Sequence, residues 1–185
     1  MQAYVNRGTV HSEQGFFEEA VKDYSKAIDI NPNFAPAYYN RANIWQYNLS
    51  KFDRALADYN KALLLSEDYT DARNNRGILL INMGQHAEAI EDFNKIIASK
   101  PSFFMAYNNR GFAKSSMGKY QEAISDYDIV IKLQPKYSLA FYNRGFAYLN
   151  LSNKDKACTD WKMAFKYGYT QAQAQIDAHC NAPVE

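Results

Sequence analysis

Apolar and small residues recur at three- and four-residue spacing in the first 34 residues of the chain. Ala3, Tyr4, Arg7, Gly8 and Val10 share one side of a predicted first helix. Phe17, Ala20, Val21, Tyr24, Ala27 and Ile28 repeat that spacing in a second. Gln14-Gly15 interrupts the pattern between them, and Asn31-Pro32 ends it, because proline disfavours helical geometry in the residue before it. The pattern predicts a helical hairpin over 1–34.

The same pattern returns along the chain. Ala106-Tyr107-Asn108-Asn109-Arg110-Gly111 has near-copies beginning at Ala3, Ala37, Ala72 and Ala140, and the arginines Arg7, Arg41, Arg76, Arg110 and Arg144 follow one another at steps of 34, 35, 34 and 34 residues. A fixed period in this range is the mark of stacked structural units. Five hairpins are expected, over 1–34, 35–69, 70–103, 104–137 and 138–169. Residues 170–180 are expected to form a capping helix over the last apolar face, and 181–185 to fray. One extra residue between Asn43 and Lys51 predicts a lengthened turn in the second unit. The first residue already belongs to a repeat, which suggests that a segment or signal preceded it.

These residues resemble the tetratricopeptide repeat. Its pattern is met by the small residues Gly8, Ala42, Gly77, Gly111 and Gly145 and by the alanines Ala20, Ala55, Ala89, Ala123 and Ala157. The aromatics Tyr24, Tyr59, Phe93, Tyr127 and Trp161 and the proline Pro32 complete it. The resemblance implies an all-α, right-handed superhelical solenoid of antiparallel hairpins that acts as a non-enzymatic protein-interaction module, with its concave groove as the binding surface.

Each arginine of the repeated hexad lies on the core side of its helix, where a guanidinium needs a partner. Asp23, Asp58, Asp92, Asp126 and Asp160 supply one carboxylate per unit, so each arginine is expected to pair with an aspartate of its own or the neighbouring hairpin. On the face of the first helix away from the core stand Gln2, Val5, Asn6, Thr9 and Glu13. Stacking makes a column of Asn6, Asn40, Asn75, Asn109 and Asn143, whose amides can donate to and accept from a peptide backbone. The column resembles the asparagine ladder in the repeat domain of the O-linked N-acetylglucosamine transferases; the alternative is that each amide serves a neighbouring helix. Beside it, Tyr39, Asn74, Ile78, Met105, Asn108, Phe112, Tyr142 and Phe146 make the wall apolar and aromatic towards the C-terminus, as expected of an interaction site. The lysines that clamp the carboxylate tails of heat-shock chaperones in other repeats of this type have no counterpart here.

A net charge of +1 gives no reason to expect nucleic acid as partner. No window approaches the apolar length of a membrane span, so membrane insertion is not expected. The chain reads as soluble, with the cytoplasm favoured. Cys158 occupies the column of Val21, Leu56, Ile90 and Ile124 and reads as a small core residue. Cys180 beside His179 falls short of a metal site. His11 stands in the column of Trp45, Leu80 and Tyr148, and His11, His86 and His179 lie in different units, so no catalytic constellation, metal or cofactor is expected. An extended peptide or short helix of a partner protein is the expected ligand. Self-association into a larger assembly is the alternative.

Overall fold

The computed structural model describes residues 1–180. The expected fraying of 181–185 lies outside the described residues. All regular structure among the described residues is helical. The chain forms two compact units, Met1–Gln85 and a second beginning at His86.

The first unit contains α1 (Gln2–Glu13), α2 (Phe17–Ile30), α3 (Ala35–Asn43), α4 (Phe52–Leu65) and α5 (Thr70–Asn82). The second contains α6 (His86–Ser99), α7 (Phe104–Ser116), α8 (Tyr120–Leu133), α9 (Ser138–Asn150), α10 (Lys154–Lys166) and α11 (Ala172–His179). Within each unit successive helices pack against one another, in the helix-turn-helix order of a repeat solenoid.

Packing follows the small and large positions of the repeat. In the first unit Ala20 and Ala55 are fully buried beside Tyr24 and Tyr59, and in the second Ala89, Ala123 and Ala157 are buried beside Phe93, Tyr127 and Trp161. Glycine at the facing position of the first helix lets these rings approach. A Cβ on Gly111 would lie 2.9 Å from Tyr127 Cε1, and one on Gly145 only 2.5 Å from Trp161 Nε1.

The extra residue of the second repeat does not lengthen the turn, as the sequence suggested. It is taken up inside the helix, as a π-helical turn over Ile44–Asn48 that continues α3. The turn after it then matches the others. Ser50 takes a left-handed conformation at φ 52°, where Gly15 and Gly84 stand in the neighbouring turns, and Ser152 does so at φ 59° in the second unit.

Two other expectations are corrected. Val5 was placed on the face opposite the core, yet it is 7% exposed and packs with Ala20, Tyr24, Ala37 and Ile44. The equivalent Asn74 and Asn108 are buried too. A first helix touches both its own hairpin and the following one, so the side it buries is wider than a single hairpin requires. Cys158 is not a core residue: it is bonded to Cys180, with Cα atoms 5.6 Å apart. The bond joins α10 to the end of α11 across a geometry natural to a disulfide. There His179 also stacks on Trp161, their ring centroids 5.4 Å apart.

Candidate functional site

The arginine column organises the framework that carries the site. Arg7 donates from Nε and Nη2 to the two carboxylate oxygens of Asp23 at 2.9 and 2.6 Å. Arg41 grips Asp58 in the same way at 2.7 and 2.8 Å. In the second unit Arg110 grips Asp126 and Arg144 grips Asp160. Planar guanidinium and carboxylate groups suit this two-point contact.

The third arm of the guanidinium was not foreseen. Nη1 of Arg41 donates to Ser25 Oγ, that of Arg76 to Asn60 Oδ1, that of Arg110 to Asn94 Oδ1 and that of Arg144 to Asp128 Oδ1. Each acceptor lies two residues after the repeat aspartate of the preceding hairpin, so the arginine ties its own hairpin to the one before it. The signal was present in sequence as a column of hydrogen-bonding side chains, but its residue types vary. His11, read as a core residue, instead brings Nδ1 to 2.9 Å from Asp23 Oδ2.

Burial sets the charge balance differently at two of these pairs. The bond from Arg7 holds the Asp23 carboxyl below its ordinary range. At Asp160 burial raises the carboxyl above that range despite the opposing bond and charge of Arg144.

The asparagine column meets several environments. Asn6 is exposed and accepts from Gln2 Nε2 at 2.8 Å. Asn40 is half-buried. Asn75 donates to Asn43 Oδ1 at 3.0 Å and to Tyr39 Oη at 3.4 Å, and so joins a network in which Tyr59 bonds Asn43 and Gln46. Asn109 Oδ1 accepts from Asn108 Nδ2. Asn143 lines a pocket of the second unit.

That pocket gathers residues from α7, α8 and α9 and has a volume of about 230 Å³. It brings together Phe112, Phe146 and Asn143, three of the residues singled out in the sequence, with Tyr120, Ala147 and Asn150 also on its lining. Phe112 is 44% exposed, and Met105, seven residues earlier on α7, is 40% exposed. Tyr142 packs edge-on against Phe146, their centroids 5.0 Å apart, and carries Phe146 on a cluster that includes Trp161. In the first unit Ile78 is half-buried, and Tyr39 packs at a tilt against Tyr69, their centroids 4.9 Å apart. Sequence reasoning missed Ser115 and Tyr127, which also line the pocket. Tyr127 was counted only as a core ring.

Among the described residues no group of three or more His, Cys, Asp or Glu side chains could hold a metal ion. No helix among them is long and apolar enough to cross a membrane.

The chain belongs to the tetratricopeptide-repeat family. Models of this repeat match residues 8–48, 46–102 and 104–137. Proteins of this family generally act as protein–protein interaction scaffolds. Tetratricopeptide repeat protein 6 of Homo sapiens is 36% identical over 73 residues, which are 40% of this chain and 14% of that protein. RNA polymerase II-associated protein 3 of Rattus norvegicus is 37% identical over 71 residues, 38% of this chain and 11% of that protein. The chain thus matches only a small part of the length of these curated relatives. Among solved structures, MamA 41-end from Desulfovibrio magneticus RS-1 superposes with a TM-score of 0.84 at 19% identity, covering 92% of this chain and 96% of that one. YrrB, a TPR protein with an unusual peptide-binding site, gives 0.78 at 23% identity, covering 94% and 90%. At these identities the likeness establishes the fold.

Proposed function

We propose that this chain is a non-enzymatic interaction module that holds an extended peptide or short helix of a partner protein along the first helices of its repeats. The observation that carries the reading is the placing of Phe112, exposed on α7, and Phe146, half-buried against Trp161, on one pocket. Phe112 and Met105 are not needed by the hairpins, so their exposure is free for a ligand. The peptide backbone runs along the asparagine column within each unit, at Asn6, Asn40 and Asn75 in the first and at Asn109 and Asn143 in the second. Apolar side chains of the ligand fall near Ile78, Met105, Phe112, Tyr142 and Phe146. The Cys158–Cys180 bond favours an oxidising compartment over the cytoplasm as the place of work.

The test is capture of partners from native extract on the immobilised chain, with Phe112→Ala/Phe146→Ala in parallel. Phe112 lies on the pocket alone, whereas Phe146 also packs on Trp161, so Phe112→Ala is run beside the double variant; both are expected to keep their helical circular dichroism, and capture by the double variant to fall about tenfold or more. Equal capture by both proteins would refute this location. A mass in solution that rises with concentration, with no captured partner, would replace the reading by self-association.

A further inference from the structure

The turn inside each hairpin passes through one position with a left-handed backbone. Gly15, Gly84 and Gly118 hold it at φ 83°, 77° and 75°, whereas Ser50 and Ser152 hold it at 52° and 59°. Among the described residues these two serines are the only ones other than glycine with a positive φ. A side chain there crowds its own backbone, a cost that glycine avoids. The hydroxyls give nothing to the fold in return. Both serines are exposed, and neither Oγ bonds another described residue. A strained residue that the fold does not use asks for another reason to be there.

The residue two places earlier sets these two turns apart. Ser50 follows Asn48-Leu49 and Ser152 follows Asn150-Leu151, whereas Gly15 and Gly118 follow Glu13 and Ser116 at that distance. Each serine thus completes Asn-Leu-Ser, and an asparagine followed by any residue but proline and then by serine or threonine is the acceptor sequence for N-linked sugar. The remaining turn, Asn82-Met83-Gly84, keeps the asparagine but lacks the hydroxyl. Asn48 is the last residue of the π-helical turn and Asn150 the last of α9, and both are exposed. Nδ2 of Asn150 donates to the carbonyl of Phe146 at 2.9 Å. A glycosylated amide keeps one N–H, so that bond can persist. The Cys158–Cys180 bond is an independent observation pointing the same way, because disulfides form in the oxidising lumen through which secreted, sugar-bearing chains pass.

We infer that Asn48 and Asn150 are N-glycosylated, and that serine occupies these two turns for the transfer reaction rather than for the fold. The co-reactant is a lipid-diphosphate-linked oligosaccharide. Nδ2 of the asparagine forms a bond to C1 of its first sugar, the C1–O bond breaks, the lipid diphosphate leaves with the bonding pair, and the amide gives up one proton. Asn82, without a hydroxyl two residues on, stays unmodified. Asn150 also lies on the lining of the pocket, so its glycan borders whatever the pocket holds. Modification of these asparagines is independent of the peptide-binding reading.

The test is peptide mapping by mass spectrometry of the full chain isolated from its native source, with and without peptide-N-glycosidase treatment in oxygen-18 water. Asn48 and Asn150 are expected to carry sugar before treatment and to appear as labelled aspartate after it, with Asn82 unchanged. Ser50→Gly, produced in the same cells, should lose the sugar on Asn48 alone, and Ser152→Gly that on Asn150 alone. Both substitutions relieve the backbone, so both variants should keep their helical circular dichroism, and loss of sugar cannot be put down to misfolding. Unmodified Asn48 and Asn150 in the native chain would overturn the inference, whether or not Cys158–Cys180 is formed. Sugar that persists in the glycine variants would overturn the role given to the serines.

Discussion

Arg144→Met isolates the arginine column. The substitution keeps an apolar stem but removes the two bonds to Asp160 and the bond to Asp128. Asp160 is only 3% exposed, so its carboxylate is left in the hairpin without the group that offsets its burial. Breaking one side of such a pair costs about 3–5 kcal/mol. Arg110→Met provides an internal comparison. There Lys114 Nζ remains 2.9 Å from the Asp126 carboxylate, so part of the compensation survives and the cost falls to about 2–3 kcal/mol. The position equivalent to Lys114 in the following repeat is Tyr148, which carries no charge to play that part.

The difference also has a pH signature. Burial already raises the Asp160 carboxyl above its ordinary 3.8, against the pull of Arg144, and loss of the arginine raises it further. Between 3.8 and the folded value, the folded protein holds a proton that the unfolded chain releases. Stability at this group is therefore lost as pH rises through that window and regained as pH falls. Asp23 has the opposite sign: its lowered carboxyl contributes stability above 3.8 that disappears on acidification through its folded value. Urea unfolding followed by tryptophan fluorescence, to which both Trp45 and Trp161 contribute, and by helical circular dichroism, at neutral pH and near about pH 5, reads both effects. Arg144→Met should be the more damaging variant at neutral pH, with a deficit that shrinks on acidification. A deficit equal to or below that of Arg110→Met, or one indifferent to pH, would refute the argument.

Gly145→Ala should lower stability by about 1–3 kcal/mol, because its Cβ would meet the Trp161 indole at 2.5 Å, and thermal melts would register it. Ser50→Gly should raise stability by up to about 1 kcal/mol by relieving the left-handed backbone, with no change in the circular dichroism spectrum. Reducing the Cys158–Cys180 bond opens a loop with a sequence separation of 22 residues and should cost about 3 kcal/mol. Amide exchange should then accelerate first in α11; unchanged protection there would count against a structural role for the bond.

Most of the hairpin architecture was legible because each repeat writes the same packing problem again. Gly111 facing Tyr127 and Gly145 facing Trp161 are pairs that one repeat alone would leave ambiguous and several in register do not. The arginine–aspartate pairing was legible for the same reason. The errors arose where a residue answers to something outside its own hairpin. Val5 packs on Ala37 and Ile44 of the following helix segment, and Cys158 reaches a helix that is not a repeat. The π-helical turn at Ile44–Asn48 was hidden because an inserted residue signals extra length without saying whether turn or helix absorbs it. At the site, the meeting of Phe112 with Phe146 could be foreseen from the period. The place of Tyr127 and Ser115 on the lining of that pocket could not, since a tyrosine in a core column reads only as packing.

The third arm of Arg41, Arg76, Arg110 and Arg144 gives the array a division of labour. Within a hairpin the acceptor is an aspartate each time such a pair is seen, so the clamp between its two helices is uniform. Between hairpins the acceptor changes from the hydroxyl of Ser25 to the amides of Asn60 and Asn94 and the carboxylate of Asp128. A charged acceptor makes a stronger bond to a guanidinium than a neutral one. In a repeat protein, stability is a sum of unit terms and nearest-neighbour terms. Here the unit term is held fixed while the neighbour term is adjusted, and it is strongest between the hairpins of α7 with α8 and α9 with α10, which carry the pocket. Lys162 occupies the same position on α10, where α11 packs instead of another repeat. A lysine there cannot accept from an arginine and would repel one, so the series of neighbour bonds ends at the helix that α11 covers.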